Sequence, residues 1–166
     1  MSIERNSPIG VFDSGVGGLT VAREIMRNLP NENIVYFGDT ARVPYGTKSK
    51  ETVLRYSRQI TRFLQTQNVK AIVIACNTAS ALALDSLEKE IDIPLIGVVR
   101  PGAETAVRTT RNKRIGVIAT ESTIHSGLYP EFIKNIDPDI EVFGKACPLF
   151  VPLVEEGWTK DKITLA

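Results

Sequence analysis

The sequence is poor in the residues that build covalent or metal frameworks. One histidine, His125, and two cysteines, Cys76 and Cys147, stand among 166 residues. Two thiols cannot make a disulfide framework, and one imidazole argues against a protein-built zinc site. No apolar run approaches the roughly 20 residues that a membrane-spanning helix needs. Residues 1–8 carry Glu4, Arg5 and Asn6 and lead into an apolar stretch of only Ile9 to Phe12, which is not the pattern of a secretory signal. Charge of one sign is missing too: 20 Lys and Arg face 19 Asp and Glu, a net charge of +1, so no bulk field recruits nucleic acid or anionic lipid. What is present is globular. Hydrophobic residues at 43% and charged residues at 23% exclude global disorder. A chain of this size can bury roughly 70% of its unfolded surface. The expectation is a cytoplasmic protein with free thiols, no metal, and neither nucleic acid nor membrane as a partner.

Short runs rich in Val and Ile alternate with helical patterns. Strands are expected at 9–12, 33–37, 71–75, 95–98, 115–119 and 140–143, and helices at 17–29, 49–66, 78–90, 102–110 and 129–135. In the helix at 49–66, Val53, Tyr56, Ile60, Phe63 and Leu64 form one apolar stripe, and Ser49 is placed to cap it. Continuous apolar strands alternating with helices predict the α/β class, with mostly parallel sheets covered on both faces. The run Ile9-Gly-Val-Phe-Asp-Ser14 returns 106 residues later as Ile115-Gly-Val-Ile-Ala-Thr120, with a weaker copy at Ile96-Gly-Val-Val99. This is either a common way to open a buried strand or the trace of two similar lobes. The two-lobe reading divides the chain into 1–99 and 100–166, the second lobe incomplete.

Ligands of open α/β sheets bind beyond the carboxyl ends of the strands. Three such ends here carry polar residues. Asp13-Ser-Gly-Val-Gly-Gly-Leu-Thr20 is a glycine-rich turn that could offer backbone N–H groups to an anion, or could be a tight turn needing glycine for its dihedrals. It is not a dinucleotide fingerprint, because Thr20 stands where the third glycine belongs. Ala75-Cys-Asn-Thr-Ala-Ser80 sets Cys76 before a helix, where the positive helix end favours thiolate. A lone cysteine is more often a small buried hydrophobe, but Asn77 and Thr78 beside it read as ligand donors. Thr120-Glu-Ser-Thr123 is a cap unless it shares a site with the other two. The long loop 38–46 holds Asp39 and Arg42, which fit a functional loop or a weak surface ion pair.

Those blocks carry a resemblance. Ile9-Gly-Val-Phe-Asp-Ser-Gly-Val-Gly-Gly-Leu-Thr-Val21, Tyr36-Phe-Gly-Asp-Thr-Ala-Arg-Val-Pro-Tyr-Gly-Thr-Lys-Ser49, Ala75-Cys-Asn-Thr-Ala-Ser80 and Pro148-Leu-Phe-Val-Pro-Leu-Val-Glu-Glu-Gly157 resemble successive motifs of bacterial glutamate racemases. The resemblance implies a cofactor-independent isomerase that interconverts L- and D-glutamate for peptidoglycan. In that family two cysteines on opposite faces of the α-carbon exchange its proton. Carried over by position, Cys76 is the first catalytic cysteine, the one assigned to the D-enantiomer. Asp13 and Ser14 lie at the substrate amino group and the first base, with Asp13 also catalytic. Pro44, Tyr45 and Gly46 form the substrate loop. Asn77, Thr78 and Thr120 bind substrate carboxylates. Asp39 and Glu155 are acids near the site, Glu155 counted with the catalytic groups. A homodimer is left open.

The sequence departs from the family pattern in one respect. The family's second cysteine lies in a Gly-Cys-Thr-His block that these residues do not contain, and the 106-residue offset from Cys76 falls beyond Ala166. Cys147 matches the Cys-Pro block instead, and His125 is not the motif histidine. The expectation is a racemase sequence cut short in its second lobe, inactive or half-active alone, with apolar surface left open. Rivals are a non-catalytic fragment that binds a dicarboxylate or a protein, an aspartate racemase, and a hydrolase with Cys76 as nucleophile and His125 as base.

Overall fold

The apolar strands of the first sheet need cover on both faces, and the helices between them supply it, the first helix on one face and the second and third on the other. The computed structural model describes residues 4–165. The expectations for residues 1–3 and for Ala166 lie outside the described residues. The chain runs β1 (Ile9–Asp13), α1 (Leu19–Asn28), β2 (Ile34–Gly38), a 3-10 turn at Tyr45–Thr47, α2 (Lys50–Thr66), β3 (Ala71–Ile74), α3 (Asn77–Leu87), β4 (Leu95–Gly97) and α4 (Val99–Thr109). It continues with β5 (Arg114–Ala119), α5 (Glu121–His125), α6 (Leu128–Ile136), β6 (Glu141–Ala146), α7 (Phe150–Glu155) and α8 (Lys162–Leu165). The fold is α/β. Four parallel strands form one sheet in the order β2-β1-β3-β4, and β5 and β6 form a second parallel pair.

The central strand β1 shows how alternation builds the first core. Phe12 is paired in register with Phe37 and Ile74, and faces Val53, Ile60 and Leu64 of α2 and Ala79, Ala83 and Leu87 of α3. Val11, one residue earlier, points to the other face and packs with Ala22 of α1 and with Ala75. Burying a side chain such as Phe12 contributes about 1.5–3 kcal/mol. Ser49 caps α2 as the sequence suggests, accepting the Thr52 N–H. α4 starts at Val99 rather than Gly102, so the division between 1–99 and 100–166 in the two-lobe reading falls in its first turn. Pro101 is tolerated there because first-turn N–H groups have no intrahelical acceptor. β6 runs to Ala146, beyond the apolar signal, because six residues pair with β5.

The second sheet is covered on one face only. Ala103 of α4, Ile133 of α6, Ile115 and Ile140 form its core. On the other face Ile118 is 65% exposed and Phe143 50% exposed, next to the similarly exposed Phe150 and Val154 of α7. Both copies of the Ile-Gly-Val echo lie on parallel strands, β1 and β5, whose carboxyl ends open on the same cavity. Among the described residues no helix is long and apolar enough to cross a membrane.

Candidate active site

The carboxyl ends of β1, β3 and β5 meet at a cavity of about 870 Å³, its wall including Asp13, Ser14, Cys76, Asn77, Thr78 and Thr120. Asp13 ends β1 and is 7% exposed. Its Oδ2 accepts the backbone N–H of Gly18 at 2.9 Å and of Gly15 at 3.2 Å. The turn that could have cradled a ligand anion therefore holds the protein's own carboxylate at the start of α1. Gly18 is required by close approach: a Cβ there would lie 2.5 Å from Asp13 Cβ and 2.9 Å from Ala75 Cβ. Tyr36 donates to the Gly15 carbonyl at 3.1 Å and braces the turn. Burial, Asp13 and Cys76 push its phenol up to about 12.

Cys76 follows β3 as the N-cap of α3 and is 6% exposed. Its Sγ accepts the Ala79 N–H at 3.4 Å and donates to Ser14 Oγ at 3.4 Å. The helix end alone suggests a thiolate. The structure reverses that expectation, because burial first and the Asp13 carboxylate second push the thiol up, against the lowering effect of the Ser14 and Ala79 bonds. A positive charge brought between Asp13 and Cys76 would shift the balance back towards thiolate.

Hydroxyls and the Asn77 amide line the cavity beside Cys76. Thr78 Oγ1 lies 2.9 Å from Thr120 Oγ1 and 3.3 Å from Thr123 Oγ1, and the last two are 3.0 Å apart, so three hydroxyls close a ring between α3 and α5. Thr120 caps α5, accepting the Thr123 N–H. Asn77 Oδ1 accepts the Tyr129 hydroxyl of α6 at 2.8 Å.

The loop residues Pro44, Tyr45 and Gly46 are on the wall as well. Tyr45 is buried, and its hydroxyl donates to Asp39 in a short bond. Asp39, 4% exposed, also accepts Arg42 Nε at 2.9 Å. The ion pair with Arg42 is thus formed, with its carboxylate buried, and Asp39 is not on the cavity wall. It stands behind Tyr45 and holds that ring. Gly46 abuts Thr120, and Ser122 Oγ donates to the Gly46 carbonyl at 2.8 Å. Glu155, at the end of α7, lies against the same turn as Asp13: a Cβ on Gly15 would fall 2.8 Å from Glu155 Oε1. Partial burial, then Asp13 and Glu156, raise the Glu155 carboxyl. Glu155 is on the wall and Glu156 is not.

Beyond the residues carried over from the family, Thr123 in the hydroxyl ring and Tyr129 on Asn77 line the cavity, and Tyr36 braces the turn from behind it. Thr123 was legible as the fourth residue of the cap motif; the others carried no signal beyond being aromatic. Cys147 also lines the cavity, half-buried, its thiol 3.7 Å from the Lys145 carbonyl. His125 does not line it, and Cys76 Sγ is bonded to Ser14 and Ala79, so a Cys76–His125 nucleophile pair is not formed. Among the described residues no group of three or more His, Cys, Asp or Glu side chains could hold a metal ion.

Comparison with known proteins gives a consistent pattern. A family profile described as Asp/Glu/hydantoin racemase matches residues 9–159. A glutamate racemase of Geobacter metallireducens is 59% identical over 155 residues, covering 93% of this chain and 57% of that protein. The crystal structure of glutamate racemase isoform RacE1 from Bacillus anthracis superposes with a TM-score of 0.93 at 43% identity, covering 97% of this chain and 60% of that one. A Francisella tularensis glutamate racemase solved in complex with D-glutamate gives a TM-score of 0.87 at 48% identity, over 95% of this chain and 59% of that one. The chain thus spans between 57% and 60% of the length of these relatives.

Proposed function

Because the chain belongs to the Asp/Glu/hydantoin racemase family, we propose that it builds one face of a glutamate racemase site, in which Cys76 exchanges the α-proton of D-glutamate. One observation carries the reading: a buried thiol, on a cavity wall, hydrogen-bonded to Ser14 and beside the buried carboxylate of Asp13. A solved relative bound to D-glutamate agrees with that choice of substrate.

The chemistry follows from the side chains present. The substrate ammonium is placed at Asp13 and Ser14, where its charge is complementary and favours ionisation of Cys76. The thiolate then takes the α-proton: an S–H bond forms, the Cα–H bond breaks, and its electron pair delocalises into the adjoining carboxylate. That developing charge needs fixed donors in a site with little water. Asn77, Thr78 and Thr120 supply them for the substrate carboxylates. Tyr45, held by Asp39, with Pro44 and Gly46, shapes the loop over the substrate. Glu155, its carboxyl raised by partial burial and by Asp13, lies against the Asp13 turn and fits a proton relay. In this reading the two sheets belong to two lobes, 1–99 and 100–166, with the substrate between them. D-glutamate made this way serves peptidoglycan in the bacterial cytoplasm. Exchange of the α-proton of D-glutamate for solvent deuterium, lost in Cys76→Ser, tests the reading.

A further inference from the structure

An asparagine amide binds a carboxylate only through its NH2 end, and its last torsion is broad and nearly two-fold, so an unheld amide presents either end. Asn77 is exposed at the cavity wall, and its own sheet does not hold it. Its one hydrogen bond among the described residues comes from the other sheet's helices: the Tyr129 hydroxyl of α6 donates to Oδ1 at 2.8 Å. A phenol donates well and accepts weakly, so it selects the oxygen end. Burial raises the Tyr129 pKa and keeps that donor protonated. The seat of the phenol is shaped for it. Gly102 lies inside α4, where glycine weakens a helix, and a Cβ there would come 3.1 Å from the Tyr129 hydroxyl and 3.4 Å from its Cε1.

We infer that Tyr129 is a positioning residue: reaching across from α6, it pins the Asn77 amide with Nδ2 turned to the cavity, so that a substrate carboxylate meets a donor. The inference rests on the glutamate reading for what the amide binds, but not for how the amide is held.

The test uses the 166-residue chain, its Tyr129→Phe and Gly102→Ala variants, and D-glutamate as the probe. The side-chain order parameter of Asn77 Nδ2 is measured by ¹⁵N relaxation without ligand, and D-glutamate affinity by titration. Wild type is expected to show an ordered amide. Tyr129→Phe keeps the ring and its packing, and is expected to drop the Asn77 order parameter below about 0.6, the range of flexible groups. Affinity should weaken about 3- to 10-fold, the loss of one oriented hydrogen bond. Gly102→Ala, which crowds the phenol without removing it, should move both quantities in the same direction by less. A merely structural role for Tyr129 would lower the melting temperature and leave the Asn77 signal unchanged, and that result overturns the inference. So does a loosened amide with unaltered affinity. If wild type binds no D-glutamate while Tyr129→Phe still loosens Asn77, the substrate reading fails and the pinning of the amide stands.

Discussion

Adding one methyl group at Gly46 is the sharpest perturbation of the contact between the two sheets. Gly46 sits in the 3-10 turn after β2, directly against the residue that caps α5. A Cβ at Gly46 would fall 2.5 Å from Thr120 Cβ, 2.6 Å from Cγ2 and 3.1 Å from Oγ1. Carbon atoms in contact sit about 3.5–4.0 Å apart, so the two backbones must part by about 1 Å. That movement also pulls on the 2.8 Å bond from Ser122 to the Gly46 carbonyl and on the hydroxyl ring of Thr78, Thr120 and Thr123. Overpacking of this kind costs about 1–3 kcal/mol. For a chain of this length each kcal/mol lowers Tm by about 2–4 °C, so Gly46→Ala should melt about 2–12 °C below wild type. Thermal unfolding followed by circular dichroism at matched concentration reads the shift. In the same background Thr120→Ser, which removes the Cγ2 clash but keeps the Cβ, should recover less of the loss than Thr120→Gly, which removes both. A Gly46→Ala protein that melts within about 1 °C of wild type would refute the claim that the 3-10 turn and the start of α5 are in close contact here.

Three further outcomes follow from the same geometry. Cys76 should alkylate slowly at neutral pH, with a midpoint above the roughly 8.5 of a free thiol, and Asp13→Asn should lower that midpoint by removing the neighbouring charge; a midpoint below that of a free thiol would overturn the burial argument. Because the protonated thiol is the form the fold prefers, its contribution to stability is complete below the ordinary thiol pKa and is lost as pH rises through the raised folded value. The bare face of the second sheet should make the 166-residue chain self-associate, with Ile118→Glu and Phe143→Glu reducing it in sedimentation velocity; sedimentation as a monomer at all concentrations would show that this face needs no cover.

The fold was largely legible because its signal is local and strong. β1, β2, β3 and β5 are runs of Val, Ile and Phe bounded by polar turns, and they lie within a residue or two of where periodicity places them. What local pattern missed was set by partners distant in sequence. β6 continues through Gly144 and Lys145 only because β5 lies beside it. The sequence opens α4 only at Gly102, after Pro101, yet the first turn tolerates the proline, and the glycine makes room for Tyr129. At the site, residue types and strand ends marked the candidates that the structure gathers around one cavity, while Asp39 falls behind Tyr45 rather than on the wall. The state of Cys76 was not legible: helix position argues for thiolate, and only the folded burial and the approach of Asp13 show why the thiol is raised. Tyr129 was invisible because its role depends on a contact 52 residues away, with Asn77.

The central claim is that these residues assemble a base able to reach the α-carbon of glutamate. Its most direct test is proton exchange in heavy water. The 166-residue chain is incubated separately with D- and L-glutamate, the α-proton signal is followed by NMR, and optical rotation is followed alongside. The account expects the α-proton of D-glutamate to exchange without inversion, the exchange to vanish in Cys76→Ser, and Cys147→Ser to leave it intact. Exchange that survives Cys76→Ser, or no exchange with either enantiomer, would contradict it.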